Sequence, residues 1–315
     1  MTTESIPTKI ENAKVIKSFD DGYNVREMTL EDAETVQNWF ASSYSNVCRH
    51  DLLVALKTFP RNSGFYMGEI DGVTVASAFR TAVGTGIFFG SYYYVKKEYR
   101  KRGFGTRLRD QVARDHVGNN ILVVDATDDS KTANEAKFGY IKAPFQIVRL
   151  SGPSRIEVKT ENITFETITK KHFDDIIDYD NNCYIQANYP IRRAFLLKWL
   201  FDIEGSRSVV AFAKGKIVGY GQRRPTEGCV MHFIGPLYAD SDEIAMGILS
   251  ELGKGLPEGN KFYLHAYSAN KSWMKLLNEK SYETVFSAQR MYLNGNPKDY
   301  KPNVYSTTSL GVLSF

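Results

Sequence analysis

"YYYVKKEYRKRGFGTRLRDQV", Tyr92–Val112, is the stretch on which the fold turns. Three aromatics and a valine read as the end of a strand. Leu108, Val112 and His116 recur at the i, i+4 spacing of a helix. Between them, from Lys96 to Arg109, stand seven Lys or Arg residues and one acid, Glu98. The segment Arg100-Lys101-Arg102-Gly103-Phe104-Gly105 has the form R-x-x-G-x-G and opens the helix. Glycines at 103 and 105 allow a tight turn and a close ligand approach. Free N–H groups at a helix start then face an anion that the helix dipole also favours. Arg100 and Arg102 can add charge-assisted hydrogen bonds of roughly 1.5–3 kcal/mol each. The expected ligand is a diphosphate.

Outward from this loop, composition narrows the class. A chain of 315 residues suggests two domains. Apolar content of 43% and charged content of 24% are ordinary for a globular protein. A net charge of +4 is too small to argue for nucleic-acid or membrane binding at large. Nucleic-acid binding through the patch 96–109 would carry a steep salt dependence; the glycine spacing speaks against it. Cys48, Cys183 and Cys229 are far apart and lack CxxC spacing, so they read as buried thiols in a reducing compartment, with no disulfide and no metal site. No stretch has the length of a membrane span, and residues 1–22 read as a polar lead-in, so a cytoplasmic protein is expected.

The element order is written twice. "YNVREMTL", two helical segments, a hairpin around Asp71-Gly72, the strand ending at Val95, the helix after Gly105, the strand "NILVVDAT" and a short helix ending at Gly139 make the first copy. "SGPSRIEVKTE" is linker-like. After it come "FETITKKHFDDIIDYD", the helical "IRRAFLLKWLF" with its Arg192-Arg193 edge, a hairpin around Lys214-Gly215, "GCVMHFIGPLYA", a helix, "KFYLHAYS", a helix and a last strand. The expected division is 23–150, a linker at 151–161, 162–294, and a tail at 295–315 that either adds a strand or crosses back onto the first copy. Such a repeat predicts an α/β (α+β) fold of two domains, each a mixed, mostly antiparallel twisted sheet flanked by helices.

The run Val95–Leu108, in its strand–loop–helix context, resembles motif A of the GNAT superfamily of acyl-CoA-dependent N-acyltransferases. "FIGPLYADSDEIAMGILSEL" with "NEKSYETVFSAQRMYL" resembles the degenerate second domain of tandem GNAT proteins. In that copy "YADSDEIA" replaces the phosphate loop, and Asp240, Asp242 and Glu243 would repel a diphosphate. The resemblance implies one coenzyme site, in the first copy, that binds acetyl-CoA as donor without a metal and passes acetyl to a primary amine, a small metabolite rather than a protein. The implied partners are the coenzyme A thioester and the amine, with no nucleic acid or membrane, in a monomer or homodimer. The alternative is a non-catalytic acyl-CoA-binding regulator.

Expected coenzyme contacts run from Tyr94, Val95 and Lys97 through Arg100, Lys101, Arg102, Gly103, Phe104 and Gly105 to Thr106. For chemistry the candidates are Tyr92 and Tyr94, on one face of their strand, Asp125 near the end of the neighbouring strand, and His232 in the equivalent strand of the second copy. The resemblance also implies a tyrosine acid four residues before Gly139 and an asparagine seven residues earlier still; here those positions are Glu135 and Asp128. This departure argues against a Tyr acid in that helix and leaves another group, water, an unprotonated thiolate or an impaired enzyme.

Overall fold

The computed structural model describes residues 13–43, 48, 50–58, 62–185, 197, 200–226, 231–297 and 300–309. The helix expected over "IRRAFLLKWLF", with Arg192 and Arg193, falls largely outside these residues, as does Cys229.

In the first half, strands β1 (Val15–Ser18) and β2 (Asn24–Glu27) precede helices α1 (Asp32–Ser43) and α2 (Asp51–Thr58). β3 (Gly64–Ile70) and β4 (Val73–Gly84) form the expected hairpin. Its turn residues Asp71 and Gly72 both have positive φ, 52° and 75°, as a type I′ turn requires. β5 (Ile87–Val95) leads through the basic loop into α3. That helix begins at Phe104–Leu108, passes a π-helical turn at Arg109–Ala113 and ends at Arg114–Val117. β6 (Ile121–Ala126), α4 (Asp128–Phe138) and β7 (Ile141–Pro153) follow. β7 continues three residues into the expected linker.

The second half repeats the order: β8 (Ile163–Thr167), α5 (Phe173–Ile185), β9 (Arg207–Ala213), β10 (Lys216–Pro225), β11 (Met231–Ala239), α6 (Asp242–Gly253), β12 (Lys261–Tyr267), α7 (Lys271–Glu279) and β13 (Glu283–Leu293). The tail contributes β14 (Val304–Ser306).

Among the described residues fourteen strands join one sheet, ordered β1-β2-β3-β4-β5-β6-β13-β7-β12-β11-β10-β9-β8, with β14 paired to β11. β5 and β6 are parallel, as are β11 and β12; the remaining pairs are antiparallel. The halves exchange their last strands. β13 pairs with β6, where β7 would close a single domain, and β7 pairs with β12. β7 and β13 also pair with each other, which fuses two sheets into one. One core, from Met28 and Val36 through Ile147 to Tyr267 and Tyr292, therefore spans both halves on one sheet face.

This face carries buried charge. Asp125 and Arg290 are cross-strand partners of β6 and β13. The Arg290 Nε and Nη2 atoms donate to the two Asp125 oxygens at 2.6 and 3.1 Å. On β7, Arg149 lies opposite Phe286 of β13 on one side and His265 of β12 on the other. Strand exchange alone brings these partners together.

Candidate active site

β5 and β6 pair only from Ile87 and Ile121 as far as Gly90 and Val124. Beyond that point they diverge, because β5 bulges. The register against β4 shifts between Ser91 and Tyr94, and Tyr92 sits at φ 45°. The Ser77 hydroxyl donates to the Tyr92 carbonyl at 2.7 Å and holds the bulge. Bulges of this kind bend a strand and end its pairing.

At the open end lies the basic loop. Gly103 caps α3 at φ 82°, a left-handed conformation that L side chains rarely adopt. Gly105 serves a different purpose: a Cβ there would stand 2.4 Å from the Tyr93 hydroxyl and 2.7 Å from Val95 Cγ2. Its bare Cα lets α3 sit on β5. Arg107 N–H already bonds the Gly103 carbonyl, at 3.0 Å. The amides of Phe104, Gly105 and Thr106 are thus the helix's first donors, the groups a helix start leaves without internal acceptors. Arg100 folds back, its Nε donating to the Val95 carbonyl at 2.9 Å and its guanidinium over Tyr94. Arg102 stacks on Tyr99 and Phe104, and Arg107 pairs with Asp21 at 2.7 Å. Lys101 takes φ 62° and is exposed, like Thr106.

A cavity of about 580 Å³ passes through the sheet where β5 and β6 part. On the α3–α4 side it is lined by Arg80, Tyr93, Arg109, Asn134 and Tyr140. On the opposite side, under α1 and α2 and between the halves, the walls include Asp51, Tyr92, Asp125, Arg149, His265 and Ser309. One opening thus joins the face of the phosphate loop to a chamber that the second half helps to enclose.

Of the four chemistry candidates, Tyr92 and Asp125 line this cavity and Tyr94 and His232 do not. Tyr92 packs on Phe40 and Phe79, and burial pushes its phenol well above its ordinary value. Asp125 is held by Arg290. Tyr94 packs under Trp39 and Phe40. His232 lies 3.1 Å from Asn260 Oδ1, and burial lowers its pKa. Glu135 pairs with Lys142 and Asp128 with Lys131, both at 2.6 Å and outside the cavity lining. Cys48 and Cys183 are both buried. Among the described residues no group of His, Cys, Asp and Glu side chains could hold a metal ion, and no helix is long and apolar enough to cross a membrane.

The residues that shape the chamber are ones that sequence spacing does not single out. Asp51 begins α2, is 1% exposed and pairs with Arg224 of β10. Arg224 also donates to the Thr308 carbonyl of the tail. Burial raises the Asp51 pKa, while Arg224, Ser309 and the Cys48 thiol hold it down. Arg149 Nε donates to His265 Nε2 at 2.8 Å. An arginine only donates, so the His265 proton sits on Nδ1. Burial, and then the Arg149 charge, hold its pKa well below the usual histidine value. The available signal was a charged residue inside an apolar strand run, Arg80 in "VTVASAFRTAV" above all.

In the second half the corresponding gap is filled. β11 and β12 pair from Met231–Lys261 to Ile234–Leu264 and then part. β14 enters there, pairing Ser306 with Leu237 and Val304 with Tyr238. On its other side the Ser306 hydroxyl accepts from His265 N–H, and Thr307 N–H donates to the His265 carbonyl, both at 2.9 Å. At the loop position Ser241 caps α6, accepting from Ile244 N–H, with Asp242 and Glu243 in the first turn.

A sequence profile described as an acetyltransferase (GNAT) domain matches residues 176–306, within this second half. Over 248 residues, 78% of the chain and 80% of the relative, the sequence is 25% identical to holothin acyltransferase of Pseudoalteromonas sp. (strain SANK 73390). A crystal structure of a putative acetyltransferase from Pyrococcus horikoshii shares the fold at TM-score 0.70 and 18% identity, over 94% of this chain and 98% of that one. A tandem GNAT protein from the clavulanic acid biosynthesis pathway does so at TM-score 0.63 and 15% identity, over 87% and 99% of the two chains.

Proposed function

We propose that the chain is an acyltransferase of GNAT type built as a tandem repeat, and that it holds a thioester donor and an acceptor on one line of attack in the opening between β5 and β6. In this reading the coenzyme A diphosphate rests on the amides of Phe104, Gly105 and Thr106, with Arg100, Lys101 and Arg102 around it. The pantetheine arm lies along the open edge of β5. Lys96 N–H is bonded away to Val75 of β4. Strand alternation therefore turns the Val95 peptide groups toward the gap, where the carbonyl accepts from Arg100 Nε and the N–H can pair with the arm.

The acceptor is a primary amine, and acetyl-CoA is the simplest donor. A cavity of about 580 Å³, shared between donor and acceptor, is of the size that encloses small molecules rather than protein surfaces. The amine nitrogen attacks the thioester carbonyl, a C–N bond forms, and the C–S bond breaks with its electron pair leaving on sulfur. Asp51, buried on the acceptor side, receives the amine proton. Tyr140, half-buried on the donor side and with its phenol raised above its ordinary value by burial, gives its proton to the leaving thiolate, in place of the residue at 135. The observation that carries this reading is the cavity itself, which connects the phosphate-loop face with the chamber between the halves. A thiol-release assay over an amine panel tests it. Release that needs both acyl-CoA and amine is expected; tight coenzyme binding without turnover on any amine would mark a regulator instead.

A further inference from the structure

Arg80 has no role in this scheme, and its setting is unusual. It stands in β4 opposite Gly90, the last residue of β5 that pairs with β6. It is 4% exposed, and a Cβ at Gly90 would lie 3.1 Å from its Nη1. Gly90 leaves the room through which the guanidinium runs beneath β5 into the cavity. Nη1 donates to its own neighbour's carbonyl, Phe79, at 2.7 Å, and Nε has no partner. No described carboxylate lies within ion-pair distance of it. Asp110, whose field reaches it, is gripped by Arg109 through Nε and Nη2 at 2.6 and 2.9 Å. The other fully buried arginines spend their charge on acids, Arg224 on Asp51 and Arg290 on Asp125. A guanidinium kept dry without an anion is costly, and its burial lowers its pKa accordingly.

Its place is at the closed end of the gap. A donor anchored at Gly103–Gly105 and lying along β5 from Val95 runs toward Gly90, and whatever extends past its sulfur meets Arg80. We propose that the acyl group transferred here carries a carboxylate, and that Arg80 is the residue that receives it, so that the donor is the coenzyme A thioester of a dicarboxylic acid rather than acetyl-CoA. This rests on the assignment of the coenzyme to the β5–β6 opening. The transfer chemistry is unchanged: one carboxyl of the diacid is the thioester that the amine attacks, the other stays ionised and is carried into the product. Asn134 on the same wall can complete the hydrogen bonds of a carboxylate through its amide N–H donors.

Isothermal titration of the full chain separates the two layers. Coenzyme A alone tests the site; succinyl-CoA against butyryl-CoA, chains of equal length with and without the charge, tests Arg80. Wild-type protein should bind succinyl-CoA roughly tenfold or more tightly than butyryl-CoA, as one desolvated charge-assisted contact implies. R80M, which keeps the stem volume, should abolish or invert that preference while leaving the affinity for free coenzyme A within about twofold. R80K should restore part of it. Equal affinities in the wild type would overturn the Arg80 assignment and leave the coenzyme site standing, and that comparison does not depend on the variants folding. A wild type that binds no coenzyme A would remove both.

Discussion

Two gaps of the same origin sit in one sheet, and the chain treats them oppositely. Between β5 and β6 the strands part at a bulge, a glycine loop with free amides guards the mouth, and the walls carry ionisable groups. Between β11 and β12 the chain's own tail provides the missing strand, and acids stand at the loop. The difference teaches what a GNAT-like gap needs. Diverging strands leave backbone groups unpaired, and these must be met by a ligand or by protein. In the second half protein meets them permanently. That half nevertheless bears the GNAT profile match, with its gap closed by β14.

The proton acceptor should give the largest effect. D51N is expected to lower kcat by roughly 10²–10⁴-fold while leaving the coenzyme Kd unchanged, measured by initial rates and titration. Because the Asp51 pKa is raised above the usual carboxylate value, the wild-type kcat/KM should fall on the acid side at a higher pH than an exposed carboxylate would give, and the variant should lose that limb. Thermal melts check that Arg224, left with a neutral partner, does not unfold the chain.

Next comes the loop contrast. G105V would drive a side chain into Tyr93 and Val95 and lift α3 from β5; coenzyme affinity should drop more than about 100-fold. D242N at the corresponding turn of the second half should change it less than about twofold.

The filled gap should reveal itself in stability. Tyr305 is buried edge-on to Trp273, whose Nε1 donates to the Tyr305 carbonyl at 3.0 Å. Y305A should cost about 3 kcal/mol in denaturant unfolding, in the range for a buried aromatic, without raising the coenzyme stoichiometry.

The smallest effect is a pH dependence at the boundary of the two gaps. His265 faces the first chamber with its ring and holds β14 with its backbone. Its folded pKa lies well below its unfolded value near 6.5. As pH falls below 6.5 the unfolded chain binds the proton first, so stability is lost, by up to roughly 1.4 kcal/mol per pH unit. H265Q should flatten that part of the stability curve.

The loop was legible in the sequence because its physics is local: two glycines, a charge run and a change of period within one short stretch. The duplicated order and the hairpin turns at Asp71-Gly72 and Lys214-Gly215 were legible for the same reason. The strand exchange was not. The pattern in "SAQRMYL" says that β13 is a strand with one buried face, and nothing in it says that β6 rather than β12 lies beside it. Arg290 and Asp125 are 165 residues apart, so their ion pair could not be read from spacing. The chamber followed the same rule. Asp51 looks like an ordinary first-turn helix acid, and its burial depends on β10 and the tail closing over it.

The central claim is that one coenzyme occupies the first gap and none the second. A crystal structure of the chain grown with coenzyme A, paired with calorimetric stoichiometry, tests it most directly. The account predicts one molecule per chain, its diphosphate on the Phe104–Thr106 amides and its arm against β5. A diphosphate found at Ser241–Glu243, a second molecule displacing β14, or none at saturating concentration would contradict it.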